Sequence, residues 1–213
     1  MIDAGEGGGR NSGEPRTKVR GRRRASGRSV GGVDPVASHQ VGPAEFRATM
    51  THFAVGVAVV TSELDGEDVG MTATALCSVS LEPPTLLLGV GHGSRMDEAL
   101  SSRDTWAVSF LPAGARQVAT RFAIKGRPSD RLLLADLAWR RGPATGHVIL
   151  DDALAALECV TEQRVVVADH TLMIARVVAA QSRNPAAPPL VHFRNHYRTV
   201  TGSTGPDGTP AAG

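Results

Sequence analysis

The residues best suited to chemistry gather in one stretch, Gly70 to Leu100, reading GMTATALCSVSLEPPTLLLGVGHGSRMDEAL. Its opening residues, Met71-Thr72-Ala73-Thr74-Ala75, are mostly thin, so the backbone amides stay approachable. Ser78-Val79-Ser80 alternates polar and apolar like a half-exposed strand. Pro83-Pro84 stops that ladder, because neither residue can donate an N–H. Thr85 to Val90 is a continuous apolar run of buried-strand length. Gly91-His92-Gly93-Ser94 is then a flexible turn, and Ser94 with Asp97 fits a capping box that opens a helix. A glycine turn entering a helix N-terminus offers N–H groups and partial positive charge, which suits a phosphate. The same residues also fit a β-turn-β-turn-helix unit with ordinary capping.

Other reactive residue types are sparse. No nucleophile with a base and no paired carboxylates stand out. The two cysteines, Cys77 and Cys159, have neither metal spacing nor a disulfide framework. Cys77 reads as a small buried strand residue. His92, His147, His192 and His196 lack ligand spacing and read as surface histidines, while Trp106 and Trp139 read as packing.

The elements that must position the central stretch are short and β-rich. Pro43-Ala44-Glu45-Phe46 begins a helix with Phe46, Met50 and Phe53 at i, i+4 and i+7. Ala54 to Thr61 reads as a strand, and Glu63-Leu64-Asp65-Gly66 as a turn with Asp-Gly chemistry. The helix after Ser94 runs to about Ser101. Thr105 to Leu111 is a strand, and Ala113 to Ile124 a helix with Val118 and Phe122 on one face. Ser129 to Gly146 has no decisive pattern. Leu154 to Val167 and Thr171 to Ala180 are long apolar-rich runs separated by Ala168-Asp169-His170, and Leu190 to Val200 closes the chain as a strand. Six or seven strands, two or three helices and no βαβ alternation favour an antiparallel barrel with peripheral helices over a Rossmann sheet.

Composition divides the chain near residue 40. Met1 to Val33 holds eight basic and three acidic residues, a surplus of +5. Since the whole chain carries +2, the remainder carries −3 and is mildly acidic. Residues 1–40 are expected to be a disordered Arg/Gly-rich tail and residues 201–213 a disordered C-terminal tail, flanking one domain over residues 41–200. Arg20-Gly21-Arg22-Arg23-Arg24 fits a solvated tail or an upstream start better than a nucleic-acid or lipid contact. No apolar run approaches the roughly 18 residues of a membrane span, and no secretory signal opens the chain. A cytoplasmic enzyme with reduced thiols is expected.

GMTATALCSVSLEPPTLLLGVGHGSR resembles the signature of the flavin reductase-like FMN-binding split barrels. Two later stretches resemble the same family in the same order. ADHTLMIARV (Ala168 to Val177) stands where the family usually has Gly-Asp-His, and VHFRNHYRTV (Val191 to Val200) where it tends to have Phe-Arg-x-x-Tyr. The likeness spans about Pro43 to Val200. It implies a mainly β (α+β) fold, an antiparallel Greek-key split barrel with peripheral helices, assembled as a homodimer.

The activity implied is an NAD(P)H:flavin oxidoreductase that passes hydride from nicotinamide C4 to flavin N5 and supplies reduced FMN or FAD to a separate monooxygenase. NADH or NADPH is the cosubstrate, no protein residue is catalytic in its own right, and no metal is required. By resemblance, Met71, Thr72, Ala73, Thr74 and Ala75 meet the isoalloxazine edge and ribityl chain. Ser78, Val79 and Ser80 serve the ribityl-phosphate region, and Ser94 and Arg95 the phosphate end. Arg121, Phe122 and Ala123 close over the flavin, Tyr197 packs near it, and His170 approaches the nicotinamide. Ala168 departs from the family's glycine at that corner, where positive φ favours glycine. Two alternatives remain: a split-barrel flavoprotein whose bound flavin acts on its own substrate, and a non-catalytic flavin- or haem-binding module.

Overall fold

The computed structural model describes residues 40–200 except 125 and 127–129. Both terminal segments, and the expectations attached to them, lie outside the described residues. Helix α1 (Pro43–Met50) opens the described chain, with Pro43 at the first helical position after the Gly42 cap. Strands β1 (Val55–Gly56) and β2 (Ala58–Leu64) follow. The single strand expected over Ala54 to Thr61 is thus two strands in different sheets, with Val57 between them. Asp65 and Gly66, at φ of 52° and 81°, form the hairpin turn into β3 (Glu67–Ala73), as Asp-Gly chemistry predicts.

After β3 come β4 (Leu76–Leu81), β5 (Pro84–Gly91), α2 (Arg95–Ser102) and β6 (Thr105–Phe110). A 3-10 turn (Ala113–Ala115) leads into α3 (Arg116–Ala123) and the single-turn α4 (Arg131–Leu134). A hairpin of β7 (Trp139–Arg141) and β8 (Val148–Leu150) precedes the long pair β9 (Ala155–Val167) and β10 (His170–Ser182). The closing strand expected over Leu190 to Val200 is instead a hairpin, β11 (Leu190–Phe193) and β12 (His196–Thr199). Arg194 and Asn195 turn it with φ of 49° and 60°. An arginine-asparagine pair between Phe193 and His196, with no glycine or proline, gives little turn signal, which is why the sequence reads through it.

Seven strands form one antiparallel sheet in the order β3-β2-β6-β9-β10-β5-β4. Its two edge strands, β3 and β4, are joined by Thr74 and Ala75 alone. Three Cα steps reach at most roughly 11 Å, so the edges must curl towards each other. The sheet therefore wraps into a barrel that stays split at this junction. Gly89 N donates to Ala75 O (2.9 Å), carrying the β4–β5 pairing one residue into the link.

β2 shows why the fold is stable from both sides. Ala58 and Val60 belong to the barrel core with Leu88, Met96, Leu100, Trp106 and Met173. Val57 and Val59 face a second core with Leu111, Phe122, Val148 and Leu190. Alternation sends successive side chains to opposite faces, so a strand covered on both is buried throughout. The β7–β8 hairpin covers part of the second face through buried polar anchors. Glu158 Oε2 accepts from Ala144 N (3.0 Å), Thr145 N (2.6 Å) and Thr145 Oγ1 (2.7 Å). Ser109 Oγ accepts from Leu150 N at 3.0 Å, and Thr61 Oγ1 donates to Val148 O at 2.5 Å. A Cβ on Gly142 would stand 2.4 Å from Glu158 Oε2, so only glycine lets this carboxylate in.

Three side-chain expectations are corrected. His147 is buried rather than superficial, its Nε2 2.9 Å from Thr105 Oγ1. Burial, with Arg103 nearby, lowers its pKa from the usual imidazole value. Cys77 is exposed, because β4 is an edge strand with one face uncovered, whereas Cys159 is buried and its thiol is pushed up to about 12 by burial. Trp139 is part-exposed beneath the Arg141 guanidinium, 5.1 Å from the ring centroid.

Candidate flavin-binding cleft

The split in the barrel opens into a cleft of about 490 Å³, within the usual range for small-molecule sites. Gly70 to Ala75 form one wall, from β3 and the link to β4. Gly89, Gly91 and the Gly93-Ser94-Arg95 turn form the second, and Phe122 and Ala123 at the end of α3 form the third. His170 and His92 stand at the β5–β10 corner. The sequence stretch singled out for small residues and a helix-opening turn thus borders a single hollow.

Absent side chains shape much of that hollow. A Cβ at Gly70 would fall 2.4 Å from Phe122 Cε1, so glycine admits the ring against β3. A Cβ at Gly89 would meet Ala75 Cβ at 3.2 Å. Glycine interrupting a strand marks a close approach. Gly89 carries that signal in the sequence although it is not among the expected site residues, and Met96, Ile124 and Gly126 join it on the cleft wall, as does His92, expected only as a surface histidine.

Polar groups on the walls are partly committed. Ser94 caps α2, its Oγ accepting from Asp97 N (3.1 Å) and donating to Gly91 O (2.9 Å). Asp97 accepts in turn from Gly93 N at 3.0 Å, so the Ser94 cap forms as the sequence predicts while the return bond of the capping box falls one residue before the cap. Thr72 Oγ1 donates to Ala119 O at 2.7 Å, tying β3 to α3 and leaving its lone pairs for a ligand donor. Arg95 Nε lies 3.4 Å from Asp130 Oδ2, and its Nη2 lies 3.7 Å from Glu67 Oε2.

At the far corner, Ala168 takes φ of 51°, the left-handed conformation that the family's glycine would adopt without strain. The turn sets His170 opposite Val167 and brings its ring within 3.6 Å of where a Gly91 Cβ would stand. Asp169 Oδ1 is 2.9 Å from His170 Nδ1, and this bond holds the Asp169 carboxyl below its usual range. His92 Nε2 is hydrogen-bonded to Thr171 Oγ1 at 3.0 Å.

Five of the sequence-named residues lie away from this cleft. Ser78 and Val79 sit exposed on β4, and Ser80 Oγ is engaged at the β4–β5 turn, donating to Glu82 O and accepting from Glu82 N. Arg121 points to the turn after α4, where Asp136 takes both ends of its guanidinium fork, with Nη2–Oδ2 at 3.1 Å. That pairing raises the arginine's pKa and lowers the aspartate's. Tyr197 packs with α3 and edge-on to His192, centroids 5.9 Å apart, beside a separate hollow lined by Arg116 and Arg198. Burial raises its phenol pKa.

The model of the flavin reductase like domain matches residues 50–201. The chain belongs to that family. An NADH-dependent FMN reductase, AsuE2 of Streptomyces nodosus subsp. asukaensis, is 35% identical over 172 residues, covering 81% of this chain and 92% of its own. Among solved structures, the NADH:FAD oxidoreductase SgcE6 of Streptomyces globisporus superposes with a TM-score of 0.70 at 31% identity, covering 78% of this chain and 99% of the other. BorF, the flavin reductase component of a bacterial two-component tryptophan halogenase, also gives 0.70 at 31% identity, over 75% and 98%. The flavin reductase fold is the mostly antiparallel split barrel described above.

Proposed function

We propose that this chain is an NAD(P)H-dependent flavin reductase that delivers reduced FMN or FAD to a separate flavin-dependent monooxygenase or related oxygenase. The observation that carries the reading is the glycine- and alanine-walled cleft at the barrel split, in a chain whose relatives are named NADH-dependent reductases of FMN and FAD. The walls fit a planar, largely apolar ring system with a polar, phosphorylated arm. Small-residue walls would admit the ring, and Thr72 to Ala75 would meet its edge. A flavin held there would supply the hydride-accepting ring system, with a reduced nicotinamide as donor.

The chain's own part is binding, orientation and exclusion of water. Phe122 and Met71 supply apolar cover, while Ser94 and Arg95 mark the end suited to a phosphate. His170 at the mouth is fixed by Asp169 and is assigned to the nicotinamide side. Ser78, Val79, Ser80, Arg121 and Tyr197 are not assigned to the flavin within one chain, since none of them lines the cleft.

The active form is a homodimer in this reading. Its support is apolar surface left bare on the described chain: Phe46, Met50 and Phe53 near α1, Val79 and Leu81 on β4, and Val165 to Val167 on β9. Among the described residues no helix is long and apolar enough to cross a membrane, and the enzyme is assigned to the cytoplasm. The deciding experiment crosses FMN, FAD and riboflavin with NADH and NADPH in steady-state turnover. Oxidation of nucleotide that depends on added flavin and releases reduced flavin supports the reading. Turnover confined to a flavin that never dissociates would point to a self-contained flavoprotein, and no turnover to a binding module.

A further inference from the structure

Among the described residues lining the cleft, Arg95 is the one with a permanent charge. It is the first residue of α2, directly after the Ser94 cap. Its Nε is inaccessible to solvent and sits 3.4 Å from Oδ2 of Asp130, which is 0% exposed. Its Nη2 sits 3.7 Å from Oε2 of Glu67, 59% exposed on the first residue of β3. The Nε and Nη2 side of the guanidinium is thus turned to two carboxylates, one rigidly buried and one at the rim. Nη1 has no hydrogen-bond acceptor among the described residues.

We propose that Asp130 and Glu67 are positioning residues that hold the Arg95 guanidinium in place as a preformed grip for the phosphate of the flavin. This inference rests on the flavin-reductase reading above and adds what fixes its phosphate end. An unanchored arginine must lose rotamer freedom when it binds an anion, and anchoring it beforehand lowers that cost. A buried carboxylate does this better than an exposed one, because solvent screens it less. Asp130 therefore carries most of the effect and Glu67 the remainder. Asp130 reaches Arg95 because α4 begins at the next residue and Leu133 N closes back onto Asp130 O at 2.9 Å.

The test is equilibrium binding of FMN and of riboflavin, which lacks the phosphate, read by flavin fluorescence on full-length protein. The quantity compared is the ratio of the two Kd values, with KM for NADH measured alongside. Arg95→Gln should lower the preference for FMN about tenfold, the scale of a charge-assisted hydrogen bond. Asp130→Asn should lower it roughly three- to tenfold, and Glu67→Gln about twofold. In the Arg95→Gln background neither should lower it further, since both act through the same guanidinium. If Arg95→Gln lowers the preference and Asp130→Asn does not, the positioning role is overturned while the phosphate end stands. A rise in FMN preference in Asp130→Asn also overturns it, because the carboxylate would then be repelling the phosphate. If Arg95→Gln leaves the ratio intact, the phosphate lies elsewhere and this inference fails with that part of the site. A change seen in NADH KM instead of the ratio would assign Arg95 to the nucleotide's phosphates and overturn it too. Should Asp130→Asn lack a cooperative melt, Glu67→Gln carries the test, with an unchanged ratio overturning the two-carboxylate clamp.

Discussion

Helices α1 and α3 have the same length and similar apolar spacing, yet they end in opposite environments. In α3, Phe122 is 1% exposed, fitted over Gly70 of β3 with Ala119 buried beside it. In the α1 region Phe46 and Phe53 are 61% and 63% exposed and no residue of the helix is buried. Spacing at i, i+4 and i+7 says that a helix has an apolar face. It does not say whether that face is covered by the same chain. Within the second core α3 finds its cover at a glycine, and α1 presents a face suited to another surface.

Breaking the α3 side should have the largest effect. Phe122→Ala removes a buried ring from both the second core and the cleft wall, and should cost about 3–5 kcal/mol. For a chain of this size that is roughly 6–20 °C in Tm. Gly70→Ala attacks the same contact from the strand, and should cost about 1–3 kcal/mol by overpacking. Thermal melts check stability, and flavin KM should rise in both variants. A Gly70→Ala protein with unaltered Tm and KM would show that Phe122 does not sit on β3.

Breaking the α1 side should change assembly more than folding. If the chain is the homodimer proposed above, the triple variant Phe46→Ser, Met50→Ser, Phe53→Ser should sediment as a monomer. Exposed sites usually alter stability by only about 0.5 kcal/mol each, so a monomer that still melts cooperatively is expected. A triple variant that stays dimeric would move the interface to β4 or the outer end of β9.

The contrast also explains what the sequence made legible. The Asp65-Gly66 turn, the Ser94 cap and the cleft-lining run from Met71 to Ala75 are local signals, each readable within a few residues. The β7–β8 hairpin was not readable, because its anchors come from far along the chain: Thr61, Ser109 and Glu158. Ser78, Val79, Ser80, Arg121 and Tyr197 fell outside the cleft for a related reason. Family likeness aligns residues along the chain, but the partners that claim those side chains, such as Asp136 for Arg121, are set by packing.

His147 tests that point by titration, since its type suggested the surface and its packing buries it. Its folded pKa lies below the ordinary value of 6.5. The unfolded chain therefore binds the proton first, and stability must fall as pH drops from about 6.5 towards the folded value. Above that window the group contributes no slope. His147→Gln should flatten the fall in Tm between neutral and mildly acidic pH relative to the parent, whatever its absolute stability. An unchanged pH profile would assign the acid sensitivity to other groups.

The smallest effect is expected at Ala168, where neither a face nor a buried contact is at issue. The residue is strained by its own backbone, at φ of 51° in the two-residue turn between Val167 and His170. A left-handed conformation costs a side-chain-bearing residue about 1–2 kcal/mol, and glycine removes that cost. Glycine also gives the unfolded chain more freedom, which takes back about 0.4–1 kcal/mol. Ala168→Gly should therefore raise stability by about 0.5–1 kcal/mol, or roughly 1–4 °C in Tm. The turn holds its place through ladder bonds on both sides, so relief of strain, and not a new fold of the corner, is what the melt would read. A lower Tm in the glycine variant would mean that chain entropy outweighs the strain, and that the turn tolerates alanine at little cost.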